Sequence, residues 1–154
     1  MLLGAVFDRC DVDEITLAKR LLTDIPEDYL TLFDRCYFSA DLMLNWQQFG
    51  INAHWLTPVK KSMRYEIIDR YADNDLLIEM PVSPQTRKIN PTLPDTWQAR
   101  MICYQHPKRE IKGFITSLFD PTLYPMETLL SAYWERWEIE QSFGELKTAN
   151  LIER

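Results

Sequence analysis

Tyr133-Trp134-Glu135-Arg136-Trp137-Glu138-Ile139-Glu140-Gln141-Ser142-Phe143-Gly144-Glu145-Leu146-Lys147 is the stretch from which the remaining residues take their meaning. Arg136, Glu140 and Lys147 follow Tyr133 by three, seven and fourteen residues. At about 100° per residue on an α-helix, the four fall within an arc of roughly 60°. One helix face then carries an aromatic hydroxyl, a guanidinium, a carboxylate and an ammonium. A carboxylate set among cations and a hydroxyl suits a metal ion bound beside a phosphate. Glu140 would hold the cation, while Arg136, as a bidentate fork, and Lys147 would hold phosphate oxygens. The plainer alternative is a solvated charged face with Trp134, Trp137 and Phe143 as core anchors.

Pro121 and Pro125 punctuate the approach to this helix, which is expected to start near Met126 with Leu129, Leu130, Trp134 and Trp137 as its apolar stripe. At the other end of the chain, residues 1–8 read as a hydrophobic strand. Asp11 and Glu14 form a capping box for a helix over roughly 12–24, with Ile15, Leu17, Ala18, Leu21 and Leu22 inward and Pro26 closing it. Tyr29-Leu30-Thr31-Leu32-Phe33 is a short β-rich run ending on Asp34. Ser39 is placed to cap a second helix over 40–49, which Gly50 stops as a C′ glycine would, and 52–60 reads as another strand. Strand, helix, strand, helix, strand implies parallel pairing. Asp34 thus stands at the carboxyl end of a strand, where α/β proteins place chemistry, although a turn or capping role fits that position equally well.

From 62 to 119 the helical period is lost. Tyr65–Ile68, Leu76–Met80, Trp97–Tyr104 and Ile111–Leu118 read as strands in antiparallel hairpins, with 81–96 connecting two of them. Lys60, Lys61, Arg64, Arg87, Lys88, Arg100, Lys108, Arg109 and Lys112 gather in and beside this block, nine of the 17 basic residues in the chain. They suit contact with a DNA backbone, or a solvated surface with lysines guarding strand edges. Trp97 is a candidate for stacking on an extruded base, or a core anchor.

With 154 residues and 46% apolar content the chain can bury a core, and no run of about eighteen apolar residues suggests a membrane span. The formal charge of −6 argues against non-specific coating of DNA. It leaves room for an acidic metal site flanked by local basic clusters. Cys10, Cys36 and Cys103 are odd in number and too scattered for a zinc site, consistent with free thiols in a reducing compartment. His54 and His106 have no partner pattern and read as structural.

The Tyr133, Arg136, Glu140, Lys147 spacing resembles the signature of the DDE transposases of insertion-sequence family four. Phe33-Asp34-Arg35-Cys36-Tyr37-Phe38-Ser39 resembles the Asp-Arg-Gly-Tyr-type segment around the second catalytic aspartate of that family, with Cys36 where glycine is common. The resemblance implies an α/β fold: a partial ribonuclease H-like core, a mixed sheet with helices, formed by 1–61 and 120–154, with a β-rich insertion over 62–119 before the last helix. It implies that Asp34 and Glu140 are catalytic metal ligands. Tyr133, Arg136 and Lys147, with Trp97 as a further contact, would bind DNA. Two magnesium or manganese ions about 4 Å apart would serve phosphoryl transfer. The implied partners are transposon ends and target DNA in a bacterial cytoplasm, with no membrane role.

A DDE site needs three carboxylates, and the first is expected upstream of Met1, since Asp8, Asp11 and Asp13 are poor substitutes. The expectation is therefore a truncated transposase, weak or inactive alone, of low stability or self-associating through bare strand edges. Two rivals remain: a non-catalytic product that pairs with full-length transposase or binds DNA, and an unrelated α/β interaction module.

Overall fold

Leu30 and Leu32 alternate with Tyr29, Thr31 and Phe33 along a strand in which every residue is buried. A strand apolar on both faces must lie inside a covered sheet. The computed structural model describes residues 2–6, 27–33, 38–105, 112–142 and 150–152, with side chains over 27–33, 38–105 and 112–135. Its strands are β1 (Leu2–Val6), β2 (Tyr29–Phe33), β3 (Ala53–Pro58), β4 (Glu66–Ala72), β5 (Asp75–Pro81), β6 (Thr96–Cys103), β7 (Gly113–Thr116) and β8 (Asn150–Ile152). The helices among the described residues are α1 (Ala40–Phe49), α2 (Pro84–Ile89) and α3 (Met126–Ser142).

All eight strands join one mixed sheet in the order β4-β5-β6-β7-β3-β2-β1-β8. β1, β2 and β3 run parallel, as the alternating strands and helices imply. β3 then pairs antiparallel with β7, and β7, β6, β5 and β4 continue as antiparallel neighbours. The stretch 62–119 is β-rich as expected, and its sheet is continuous with that of the parallel strands. The connecting segment 81–96 contains the short α2, started by Ser83 as N-cap with Pro84 in the first turn. The helix expected over 12–24 lies outside the described residues.

Residue alternation sends side chains to two covered faces. Phe33, Trp55, Ile78, Met80, Trp97, Ala99, Met101 and Ile115 meet Leu42, Met43 and Trp46 of α1. Leu30, Leu32, Leu56, Ile102 and Phe114 meet Leu129 and Tyr133 of α3. Helices on both faces of a mixed sheet form the α/β architecture of a partial ribonuclease H-like core with a β-rich insertion before its last helix.

Ser39 caps α1 as expected, its hydroxyl accepting the Leu42 N–H at 3.5 Å. Gly50 behaves differently from the expected C′ glycine. It ends the helix with extended backbone, φ −90°, and the left-handed residue is Asn52 at φ 49°. Asn52 holds that conformation through its side chain, which donates to Asp28 Oδ1 at 2.6 Å. Gly113 is required for a different reason. A Cβ there would lie 2.5 Å from the carbonyl oxygen of Ile102 on the neighbouring strand.

Candidate functional site

Phe33, the last residue of β2, ends at the same edge of the sheet as Pro58, the last of β3, because the two strands run parallel with Leu32 beside Leu56. Asp34 follows Phe33 and lies outside the described residues. The course of α3 relates it to that edge. The loop before α3 lies near Leu118, beyond the end of β7 that pairs Thr116 with Leu56. By Tyr133 the helix has reached Phe114, which pairs with Pro58, the two rings 4.7 Å apart. Trp134 lies 6.2 Å from Tyr104, the residue after β6, whose N–H donates to Lys112 before β7 begins. α3 therefore runs toward the carboxyl ends of β2 and β3. At 1.5 Å per residue, position 140 is about 10 Å beyond Tyr133.

Leu129 and Tyr133 are both buried against the sheet, at 3% and 4% exposure. Positions 136 and 140 continue the same helical stripe by the 3.6-residue repeat. The tyrosine expected on an open, phosphate-binding face is thus part of the packed face. The side chains of Arg136 and Glu140, and all of Lys147, lie outside the described residues.

Trp97 is placed elsewhere. It lies on the α1 face at 4% exposure, its ring 5.8 Å from both Phe38 and Trp55. The sheet stands between it and Tyr133, so the structure does not bring these two predicted DNA contacts together. A ring so covered holds the core, and would have to be uncovered before a base could stack on it.

Two open cavities border the loop after β3. One, about 580 Å³, is walled by Phe38, Met63, Met80, Val82 and Trp97, with Lys60 and Arg64 among its polar lining. The other, about 350 Å³, includes Lys60, Lys61, Lys112, Tyr65 and Cys103. Among the described residues neither is lined by an aspartate or glutamate. Lys60 sits 5.5 Å over the Phe38 ring and donates to the Phe38 carbonyl at 3.4 Å, which pins its charge at the rim. Burial pushes the Cys103 thiol above its ordinary value, keeping it protonated and unreactive at neutral pH.

Other basic residues of the block differ in exposure, and Lys88 is exposed. Arg100 is fully buried and ion-paired with Asp75, which removes it from the candidate DNA contacts. Arg87 pairs with Asp95. Lys108 and Arg109 lie outside the described residues. His54 is structural, as expected. Its Nδ1 and Nε2 lie 3.0 Å from Ser117 Oγ and Asn52 Oδ1, and burial pushes its pKa below the ordinary value.

Among the described residues no three His, Cys, Asp or Glu side chains are grouped to hold a metal ion. None of the described helices is long and apolar enough to cross a membrane.

The transposase DDE domain family matches residues 1–154, the entire chain. This chain belongs to that family. The DDE transposase domain is of the insertion-sequence-four type: it is 32% identical over 147 residues to the transposase InsG for insertion sequence element IS4 of Escherichia coli (strain K12). That alignment takes in 96% of this chain and 33% of InsG, so the DDE chain spans about a third of its relative's length. It is also 41% identical over 69 residues to the putative transposase InsZ of the same organism, covering 45% of this chain and 23% of InsZ. No solved structure matches the DDE chain significantly. Membership in the family removes the unrelated interaction module as a reading.

Proposed function

We propose that this chain carries two metal-holding carboxylates of a DNA-cutting and strand-transferring site, Asp34 and Glu140. The observation that carries the reading is the course of α3, whose Leu129–Tyr133 stripe heads for the sheet edge at which Asp34 follows β2. In this reading 1–61 and 120–154 make the ribonuclease H-like core and 62–119 the insertion. Two carboxylates are hard oxygen donors, a set that fits magnesium or manganese better than zinc. A divalent ion, when bound, supplies Lewis-acid stabilisation of charge on phosphate oxygens.

The remaining work falls to the chain itself. Arg136 takes two phosphate oxygens in one plane, Lys147 adds a point charge, and the Tyr133 ring, packed on Phe114, anchors the stripe that leads to them. Lys60, Lys61, Arg64 and Lys112, around the two cavities, hold the DNA backbone as it passes the same sheet edge.

Manganese titration of the purified chain, followed by electron paramagnetic resonance, tests the metal site. Glu140→Ala or Asp34→Ala should each remove binding while leaving the thermal melt in place. Unchanged binding in both variants overturns the reading. Duplex DNA binding against salt tests the basic rim. Lys60→Ala and Arg64→Ala should each lower the slope of log affinity on log salt by about one.

A further inference from the structure

Among the described residues Arg100 is the one buried cation, and it is fully enclosed. Its Nε and Nη2 donate to Asp75 Oδ1 and Oδ2 at 2.7 and 2.6 Å, a planar fork on one carboxylate. Its Nη1 donates to two carbonyl oxygens, of Leu118 at 3.2 Å and of Tyr124 at 2.6 Å. Those four bonds reach three parts of the chain. Asp75 opens β5, Leu118 follows β7, and Tyr124 stands two residues before α3.

The loop between Leu118 and α3 is wound on itself. Asp120 Oδ1 accepts the N–H groups of Thr122 and Leu123, and the Asp120 carbonyl accepts that of Tyr124. The Pro125 carbonyl then accepts from Thr128 and Leu129 in the first turn of the helix. Loop and first turn form one unit, and Arg100 grips it at both ends of the loop. A buried ion pair adds little net stability over well-packed apolar residues of the same volume. What the guanidinium supplies that such residues do not is direction, two fixed N–H vectors aimed at the root of α3.

We infer that Arg100 is a positioning residue, which fixes the root of α3 against β5 and β6 and so sets where the Glu140 turn falls. The inference rests on the reading of Glu140 as a metal-holding carboxylate. Sixteen residues of nearly continuous helix separate Tyr124 from Glu140, about 24 Å, so a tilt of only about 5° at the root displaces that turn by about 2 Å. A displacement of that size is enough to spoil metal geometry.

The test compares Arg100→Met combined with Asp75→Leu, which replaces the pair by apolar side chains, with Arg100→Lys, which keeps the charge and loses the fork. Both are measured in the full chain by thermal melt, manganese titration, and amide hydrogen exchange over residues 124–129. The double variant should keep a cooperative melt, exchange faster over 124–129, and bind manganese roughly 10- to 100-fold more weakly, the size of effect seen when groups behind metal ligands are lost. Arg100→Lys should shift both readouts the same way despite its retained charge. A folded double variant with exchange and affinity like the parent chain overturns the inference. If it does not fold, Arg100→Lys decides by the same two measurements. If the parent chain binds no manganese, the reading of Glu140 falls, and exchange over 124–129 alone decides whether Arg100 holds the root of α3.

Discussion

The two faces of the sheet are covered by helices in different ways. On the α1 face, Trp46, Trp55 and Trp97 lie in one large apolar cluster spanning β2 to β6. On the α3 face the cluster is smaller, built around Leu30, Leu32, Leu56, Phe114 and Tyr133, and it is bordered by the Arg100–Asp75 pair and by His54 with Ser117. The α1 face is closed mainly by area, with a few polar ties at its margin: Trp55 Nε1 donates to Gln47 Oε1 at 3.1 Å and Asn90 donates to Asp41 Oδ1 at 2.9 Å. The α3 face adds directional polar contacts where a helix must be delivered in one orientation. Apolar area thus dominates on one side of the strands, and a buried ion pair on the other.

The comparison breaks most readily at Trp97. Trp97→Ala should cost about 3–5 kcal/mol in a urea melt, as for a large aromatic removed from a packed core. A loss well below that would return Trp97 to the candidates for base stacking. Gly113→Ala tests the strand edge common to both faces. The added methyl meets the Ile102 carbonyl, and the cost should be about 1–3 kcal/mol by the same measurement. Ser39→Ala removes the cap of α1 and should cost about 1 kcal/mol, with no effect on α3 amide exchange.

The smallest effect belongs to His54 on the α3 face. Its folded pKa is depressed by burial, so the unfolded chain takes up the proton first as pH falls. The neutral ring's contribution is present above about 6.5, the unfolded value, and is lost as pH drops from there through the folded value. Melting temperatures across that window should fall more in the parent chain than in His54→Gln.

Local signals were legible in the residues themselves. The strand at 29–33, the helix over 40–49 with its Ser39 cap, the β-rich stretch and the start of the last helix near Met126 all follow from period and capping, which act within a few residues. The parallel order of the first three strands was legible too, because strands that alternate with helices pair that way. The stop after α1 falls at Gly50 as the sequence implies, but the left-handed conformation is taken by Asn52, whose amide donates to Asp28, distant in sequence.

Arg100 shows why the remainder was hidden. In sequence it stands in a basic block and looks like a surface contact for DNA. Its burial depends on Asp75 and on two carbonyls more than fifteen residues away, and no local pattern announces that meeting. Trp97 and Tyr133 are both candidate DNA contacts in sequence, one as an aromatic and the other by its spacing and the family resemblance. Yet Trp97 packs on the α1 face of the sheet and Tyr133, in α3, on the opposite face. The sequence by itself determined which residues form strands and helices, and carried the spacing that marks the family. Only the tertiary structure decided which faces those residues share and which charges are enclosed, because burial and ion pairing depend on distances that chain separation does not encode.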